Sequence, residues 1–513
     1  MTATADRSPV RTTLVRAALV TIVVTMAGSL LGLVRDLLLA RFFGADGGTD
    51  AFLVAWTVPE TAFVLVVEGA MSLLMIPVFS RALTRATERD AVRATRAVLS
   101  TTLPPVIAVL VVSSAAVALG APVLVRVVAP GLADPQLAIT CTRLTAVTVL
   151  TFGIAGYLSA ALRANHVFGA PAAIHLAYNV GIVALMATLH GRLGVVSAAA
   201  GVALGSVFMV LVQVPSFLRH VGLPRRWRFT GSPVMLGVVA PIVAYTVARQ
   251  AQVFVERYLG SSLAPGTISY LNYAQKVAQI PMLIALLVCT VTFPTLARSV
   301  AAGELEQARR RVETDLRTVT ALIFLATAYL IAFAPQVVAV LLEHGRFTAA
   351  DTAATASVMR VYALGVFGHA MVGVLSRPFF TGERRTWYPA AAMAAGLALT
   401  AAVAAAAVPF LGAYAIAAAN GIGITTTAVL LLLGLRARII AVSVRAVGAS
   451  AAKLAAAATV AGTAGWLTGR ALAAWPPLPT AVVGGLVVLG VFAALARLTG
   501  LDEAWKGRIP HGS

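Results

Sequence analysis

The chain has 513 residues, of which 59% are hydrophobic and only 11% are charged, and its mean hydropathy is +0.91. A water-soluble fold cannot bury that much apolar surface, so the composition excludes a soluble globular protein. The net charge of +20 does not indicate a nucleic-acid-binding protein, because the basic residues fall in alternate loops instead of covering one soluble domain.

Long apolar runs with few charges recur from one end of the chain to the other. A bilayer-spanning helix needs about 20 such residues, so each run predicts one transmembrane helix. We therefore predict an all-α polytopic membrane protein with about 14 transmembrane helices. They lie near 13–40, 51–80, 97–125, 138–162, 171–190, 193–217, 232–258, 267–298, 316–342, 355–376, 387–408, 412–435, 447–469 and 479–498.

The connecting loops alternate in charge. Arginines are concentrated after predicted helices two, six, eight, ten and twelve, whereas loops 41–50, 127–137, 259–266 and 409–412 carry one basic residue or none. Basic loops stay in the cytoplasm, so both termini are predicted to be cytoplasmic.

The two halves of the chain resemble each other. IPVFSRAL at 76–83 resembles FPTLARSV at 293–300, and VVAPGLADPQLA at 127–138 more loosely resembles LLEHGRFTAADT at 341–352. The repeat unit holds six predicted helices, an even number, so both copies enter from the same side and form parallel lobes. Such lobes are typical of alternating-access transporters. We predict an N-terminal lobe at 1–224 (helices one to six), a C-terminal lobe at 225–440 (helices seven to twelve), and an appended helix pair with a cytoplasmic tail at 441–513.

Ionisable residues are costly at membrane depth, so each should face protein or a water-filled cavity. One reading is that they line a cavity in which the cations bind an anionic headgroup and the carboxylates orient them or couple an ion. The other reading is structural ion pairing between helices. The candidates for substrate binding are Arg35, Asp50, Glu68, Arg249 and Lys276, and those for ion coupling or charge pairing are Asp36, Gln252 and Glu256.

Five arginines recur at steps of four, four, four and three after predicted helix two, and this basic stripe predicts attraction to anionic lipids at the cytoplasmic face, with substrate capture as the alternative. The stripe consists of Arg81, Arg85, Arg89, Arg93 and Arg96.

No catalytic constellation, metal-ligand spacing or phosphate-binding loop is present, so we expect no enzyme, metal or cofactor. Transport would then be driven by the membrane potential or an ion gradient.

Several motifs resemble those of one family. GLVRDLLLARFFGADGGTDAFLVAWTVPE at 32–60 resembles the opening signature of the MurJ (MviN) lipid II flippases. FGAPAAIHLAYN at 168–179, TISYLNYAQKVAQIP at 267–281 and HGRFTAADT at 344–352 support the resemblance, which covers about the first 390 residues. The wider superfamily contains the multidrug and oligosaccharidyl-lipid exporters.

The resemblance implies a multi-pass protein of the bacterial inner membrane that carries undecaprenyl-pyrophosphate-linked peptidoglycan precursor to the outer leaflet, using a cationic central cavity. Arg35, Asp50 and Glu68 match family positions considered important. Family arginines are replaced by Ser29, Phe63 and Lys276, so two functional alternatives stay open: a divergent exporter of another amphiphile, and a non-transporting paralogue. No nucleic-acid partner is expected, and the sequence indicates no protein partner.

Overall fold

The computed structural model describes residues 9–84, 90–223, 236–282, 302, 304–380, 386–439 and 442–498. Every regular element in these ranges is helical, which confirms the all-α class. Twelve helical segments within them are long and apolar enough to cross a membrane. The two remaining predicted spans are a more polar helix at 236–260 and the segment 267–298, which lies partly outside the described residues.

The chain divides into two compact units, Met1–Thr246 and Val247–Ser513. The boundaries of the predicted lobes and of the appended pair stay a prediction. The helices of the first unit are α1 (Pro9–Phe43), α2 (Gly47–Ala62), α3 (Met71–Thr84), α4 (Ala91–Val128), α5 (Pro135–Thr145), α6 (Val147–Ala164), α7 (Gly169–Ala172), α8 (Ile174–Leu193), α9 (Val196–Leu211) and α10 (Val214–His220).

Helix α11 (Leu236–Gly260) contains the division between the units. The second unit continues with α12 (Thr267–Ala278), α13 (Leu305–Ala332), α14 (Ala334–Leu342), α15 (Ala349–Leu375), α16 (Tyr388–Leu411), α17 (Ala413–Arg438), α18 (Val444–Ala471) and α19 (Pro477–Leu498). Its C-terminal helices pack against α13 through a core that includes Phe333, Ala461 and Val488, each with no exposed surface.

Predicted helix two, 51–80, is not one regular α-helix. A π-helical segment, Phe63–Ala70, separates α2 from α3. Pro59 lies four residues before it and lacks a backbone N–H, so it removes one hydrogen bond of the regular helix. Short π-helical segments occur frequently at functional sites, and this one contains Glu68.

The looser repeat identified in the sequence coincides with matching local structure. In the first unit α4 ends at Val128 and α5 begins at Pro135; in the second, α14 ends at Leu342 and α15 begins at Ala349. Both connections have six residues, at a shift of 214 along the chain. A side chain caps the second helix each time: Asp134 accepts from the Leu137 N–H, and Thr348 accepts from the Asp351 N–H.

Candidate functional site

Helices α1 and α8 approach each other closely enough that only small residues fit between them. A Cβ atom on Gly28 would lie 2.8 Å from the Cβ of His175 and 3.0 Å from the backbone nitrogen of Leu176. Gly32, one turn later, faces the Asn179 side chain at 3.4 Å. Small residues four apart are a common device for close helix packing in membranes.

Ser29 does not lie on this contact face. Ser29 is exposed, and its hydroxyl donates to the Thr25 carbonyl at 3.2 Å. Successive residues of a helix are rotated by about 100°, so the close approach of Gly28 to α8 turns Ser29 away. The face that meets α8 continues instead to Arg35.

Arg35 is held by three hydrogen bonds to two side chains. Its Nε and Nη2 donate to one carboxylate oxygen of Asp36, at 3.0 and 2.8 Å. Its Nη1 donates to Asn179 Oδ1 at 3.0 Å. The side chains of Arg35 and Asp36 are each only 12% exposed, so solvent screens this ion pair less than a surface pair.

Asn179 is fixed in turn by the backbone of both helices. Its Nδ2 donates to the Gly28 carbonyl of α1 and to the His175 carbonyl of α8, each at 3.0 Å. The amide oxygen is therefore directed at Arg35. A buried polar side chain whose bonds are all satisfied has a well-defined orientation, so Asn179 positions the guanidinium.

An aromatic pair covers another side of the guanidinium. The Cζ of Arg35 lies 4.3 Å from the centre of the Trp56 ring, a cation–π geometry. The indole Nε1 of Trp56 donates to the Tyr178 hydroxyl at 3.2 Å. Residues of α1, α2 and α8 thus enclose Arg35, and three of its five N–H groups are used in the hydrogen bonds described.

The other two predicted substrate-binding residues of the first unit, Asp50 and Glu68, lie on α2 and in the π-helical segment. Asp50 lies in the first turn of α2, is 4% exposed, and precedes Trp56 by six residues, about 9 Å along the helix. The backbone of Glu68 lies in the π-helical segment, and its side chain lies outside the described part of the structure. Their roles in binding stay predictions.

In the second unit, Glu256 on α11, a predicted ion-coupling or charge-pairing residue, is almost completely buried. It is 1% exposed and accepts a hydrogen bond from Asn420 Nδ2 of α17 at 2.5 Å. The other end of the same amide, Asn420 Oδ1, lies 2.9 Å from His369 Nε2 on α15. Three helices therefore share one chain of hydrogen bonds.

Other polar and charged residues of α11 and α12 have different environments. Arg257 is 3% exposed, and its Nη2 donates to Asn272 Oδ1 on α12 at 3.0 Å. The Nε2 of Gln252 is buried without a hydrogen-bond partner among the described residues. Arg249 is exposed, and Lys276 is half-buried in the last turn of α12.

The basic stripe is only partly available for lipid binding. Arg81 and Arg93 are exposed, and Arg93 pairs with Asp90 at 3.3 Å. Arg96 instead donates to the Val221 carbonyl after α10, at 3.0 Å. Arg85 and Arg89 lie outside the described residues. No group of acidic, histidine and cysteine residues with the geometry of a metal site occurs in the part of the chain that the structure describes.

A family model described as lipid II flippase MurJ matches residues 39–481, most of both units. The chain belongs to the lipid II flippase MurJ family. The "Lipid II flippase MurJ" of Burkholderia cenocepacia is 28% identical over 428 residues, which cover 81% of this chain and 82% of that protein. The "Probable lipid II flippase MurJ" of Aquifex aeolicus is 22% identical over 387 residues, 72% of each chain.

Solved structures show the same fold. A structure of lipid II flippase MurJ in an inward closed conformation gives a TM-score of 0.76 at 20% identity, covering 93% of this chain and 99% of that one. An inward-facing multidrug resistance MATE family transporter of the MOP superfamily gives 0.66 at 15% identity, covering 84% and 98%. The all-helical, multi-pass fold predicted from the sequence is therefore confirmed, and the number of about 14 transmembrane helices stays a prediction.

Two residues of the stretch predicted to depart from the family pattern lie in the first unit. Phe63, predicted to replace a family arginine, packs edge-on against Phe152 and His175 at ring distances of 5.3 and 5.2 Å. Glu60, in the same stretch, is half-buried and close enough to Tyr178 to interact with it electrostatically. An aromatic cluster and a carboxylate thus occupy this stretch, and the replacement of a family cation here stays a prediction.

The sequence pointed to the charged members of both clusters but missed their neutral partners. Asn179 and Trp56 lie within motifs that carry the MurJ resemblance, yet their link to Arg35 was not predicted. Asn420 and His369 were not predicted, because neither belongs to a metal-ligand or catalytic spacing along the chain. The available signal was that each is a polar residue inside a long apolar helix.

Proposed function

We propose that this chain is a lipid II flippase of the bacterial cell membrane that moves undecaprenyl-pyrophosphate-linked peptidoglycan precursor from the inner to the outer leaflet by alternating access. The family match over residues 39–481 carries this proposal. A charged headgroup needs a polar, protein-lined route to cross the bilayer, and a multi-pass helical protein is the kind of architecture that can provide one. No enzymatic step is required.

Arg35 is the proposed pyrophosphate ligand in the first unit. Asp36, Asn179 and Trp56 fix its guanidinium, and two N–H groups remain beyond the three hydrogen bonds described. A guanidinium can present such groups to phosphate oxygens in a planar, directed geometry. Because Asp36 balances the charge of Arg35, binding here depends on directed hydrogen bonds more than on net charge.

Further contacts to the headgroup are proposed for residues of both units. Arg249, which is exposed, and Lys276 would add positive charge, while Asp50 and Glu68 would orient the cations or the sugar. Arg81 and Arg93 are proposed to attract anionic lipids at the cytoplasmic face, at about 1 kcal/mol per basic residue near the membrane surface.

The proposal is tested by expressing the chain in a bacterium depleted of its own lipid II flippase. Growth and the amount of lipid II in the outer leaflet are measured together, and membrane insertion is verified by immunoblotting of the membrane fraction. Restoration of both is the expected result. If the protein inserts into the membrane but restores neither growth nor outer-leaflet lipid II, the proposal is overturned. Export of another amphiphile, or a non-transporting paralogue, would then be the remaining functions.

A further inference from the structure

The chain of hydrogen bonds from Glu256 through Asn420 to His369 has a fixed direction. An ionised carboxylate only accepts, so the Asn420 amide must turn its NH₂ group to Glu256, as the 2.5 Å contact from Nδ2 to Oε1 shows. The amide oxygen then faces His369 Nε2 at 2.9 Å. That nitrogen must carry a hydrogen, which leaves Nδ1 of a neutral imidazole as the acceptor.

Adding a proton at the two ends of this chain has different consequences. A proton on Nδ1 of His369 leaves both hydrogen bonds intact and turns the bond from Nε2 into a charge-assisted one. A proton on the Glu256 oxygen that faces Asn420 would place an O–H donor against the N–H donor of Asn420. The hydrogen bond between the two residues would then break unless the amide rotated. Glu256 can take a proton without losing this bond only at its other oxygen, whereas the imidazole keeps both hydrogen bonds and gains charge assistance.

Charges around His369 come from several helices. Glu256 is connected to His369 through the Asn420 amide, and the cation of Arg249, on the same helix as Glu256, disfavours positive charge at His369. Helix α13 packs against α15 through the stacked rings of Phe324 and Phe367. Other ionisable groups on these and the adjoining helices include Arg257, Lys276, Asp315, Arg317, Arg360 and Tyr362.

The network links three helices at membrane depth. Glu256 lies on α11, His369 on α15 and Asn420 on α17, and Asn420 is 1% exposed. A movement of α11 relative to the other two helices must break the bond between Asn420 and Glu256. Buried polar groups without partners are costly, so the arrangement with this hydrogen bond intact and the arrangement with it broken differ in free energy. Because the network is buried and polar, that difference depends on the charge of its members.

We propose that His369 binds the proton that drives transport, with Asn420 and Glu256 as positioning residues. This inference rests on the proposed flippase function and names its coupling ion. Water on one side of the membrane supplies H⁺ to Nδ1, which forms an imidazolium, and the proton returns to water on the other side. The arrangement with the intact network binds the proton more tightly, so lower pH favours it over the arrangement in which α11 has moved.

Charge movement without substrate tests the inference. The purified full chain is adsorbed as proteoliposomes on a solid-supported membrane, and the transient current after a pH jump is recorded without lipid II. The wild type is expected to give a current that His369→Gln loses. His220→Gln is the matched control, because His220 lies at the exposed end of α10, and it should keep the current. An unchanged current in His369→Gln would overturn the inference.

A second variant protects the test against loss of folding. Glu256→Gln removes the carboxylate that stabilises the imidazolium through Asn420, so the midpoint of the current against pH should shift to lower pH. An unshifted midpoint would contradict the assigned role of Glu256. A pH-jump current without lipid II translocation would overturn the proposed function but not the proton site. Lipid II translocation without a pH-jump current would overturn the proton site but not the proposed function.

Discussion

Arg35 is held by several side chains at once. Its hydrogen bonds to Asp36 and Asn179 and its contact with Trp56 use the planar shape of a guanidinium as well as its charge. A lysine at this position would keep the charge but could not make all three hydrogen bonds in the same geometry. Shape and charge can therefore be separated by substitution.

We expect Arg35→Ala to lower lipid II translocation about ten-fold or more, because charge-assisted hydrogen bonds contribute about 1.5–3 kcal/mol each. Arg35→Lys should fall between this variant and the wild type. Outer-leaflet lipid II in the depleted strain is the measurement. Arg192→Ala is the control, since Arg192 is exposed at the end of α8, the helix that carries Asn179. Full activity in Arg35→Lys would show that charge alone is needed.

At the level of single residues, the sequence revealed charges but not their partners. An ionisable residue in an apolar run stands out, and Arg35, Asp36 and Glu256 were found in this way. Asn179 lies 144 positions from Arg35, and Asn420 lies 164 positions from Glu256. No periodicity within one helix connects such residues, because tertiary packing alone brings them together.

Glycines set the distance between paired helices in both units. A Cβ atom on Gly181 of α8 would lie 2.5 Å from the Cα of Gly205 on α9. In the second unit, a Cβ atom on Gly396 of α16 would lie 2.6 Å from the Gly423 carbonyl oxygen of α17. The shifts between these positions, 215 and 218, agree with the internal repeat. The same close pairing thus occurs in both copies.

Gly181→Ala is expected to lower stability by about 1–3 kcal/mol, because the backbone of α9 leaves no room for a methyl group. The apparent Tm in detergent should fall accordingly. Gly191→Ala provides the control on the same helix, since a Cβ there meets nothing within 4 Å. An equal Tm for both variants would contradict the close packing of α8 against α9.

Hydropathy predicted where helices lie but not how regular they are. The predicted span at 51–80 contains a π-helical segment at Phe63–Ala70, and the predicted helix at 316–342 is divided at Phe333. Helix α13 also begins at Leu305, eleven residues before the predicted start, because its charged first turns are held by ion pairs such as Arg309 with Glu313. The length of an apolar run in the sequence depends neither on such ion pairs nor on interruptions of the helical hydrogen bonds, so hydropathy does not predict these features.

For the whole molecule, composition and loop charge were enough for the fold class, and the six-residue connections support the repeat. The placement of both termini in the cytoplasm stays a prediction. Alkaline phosphatase fused after Leu132 should be active outside the cell membrane, whereas a fusion after Leu223 should be inactive. Green fluorescent protein at the C-terminus should fluoresce. The reverse activities would contradict the orientation derived from the basic loops.

The central claim is that this chain moves lipid II between leaflets. Purified protein is reconstituted into liposomes that contain lipid II, and an impermeant reagent added outside modifies the headgroups that reach the outer leaflet. If the protein transports lipid II, nearly all of the lipid II is modified in liposomes that contain the wild type. In protein-free liposomes, and in liposomes with Arg35→Ala, mainly the lipid II that starts in the outer leaflet is modified. Modification limited to that share with the wild type would contradict the account.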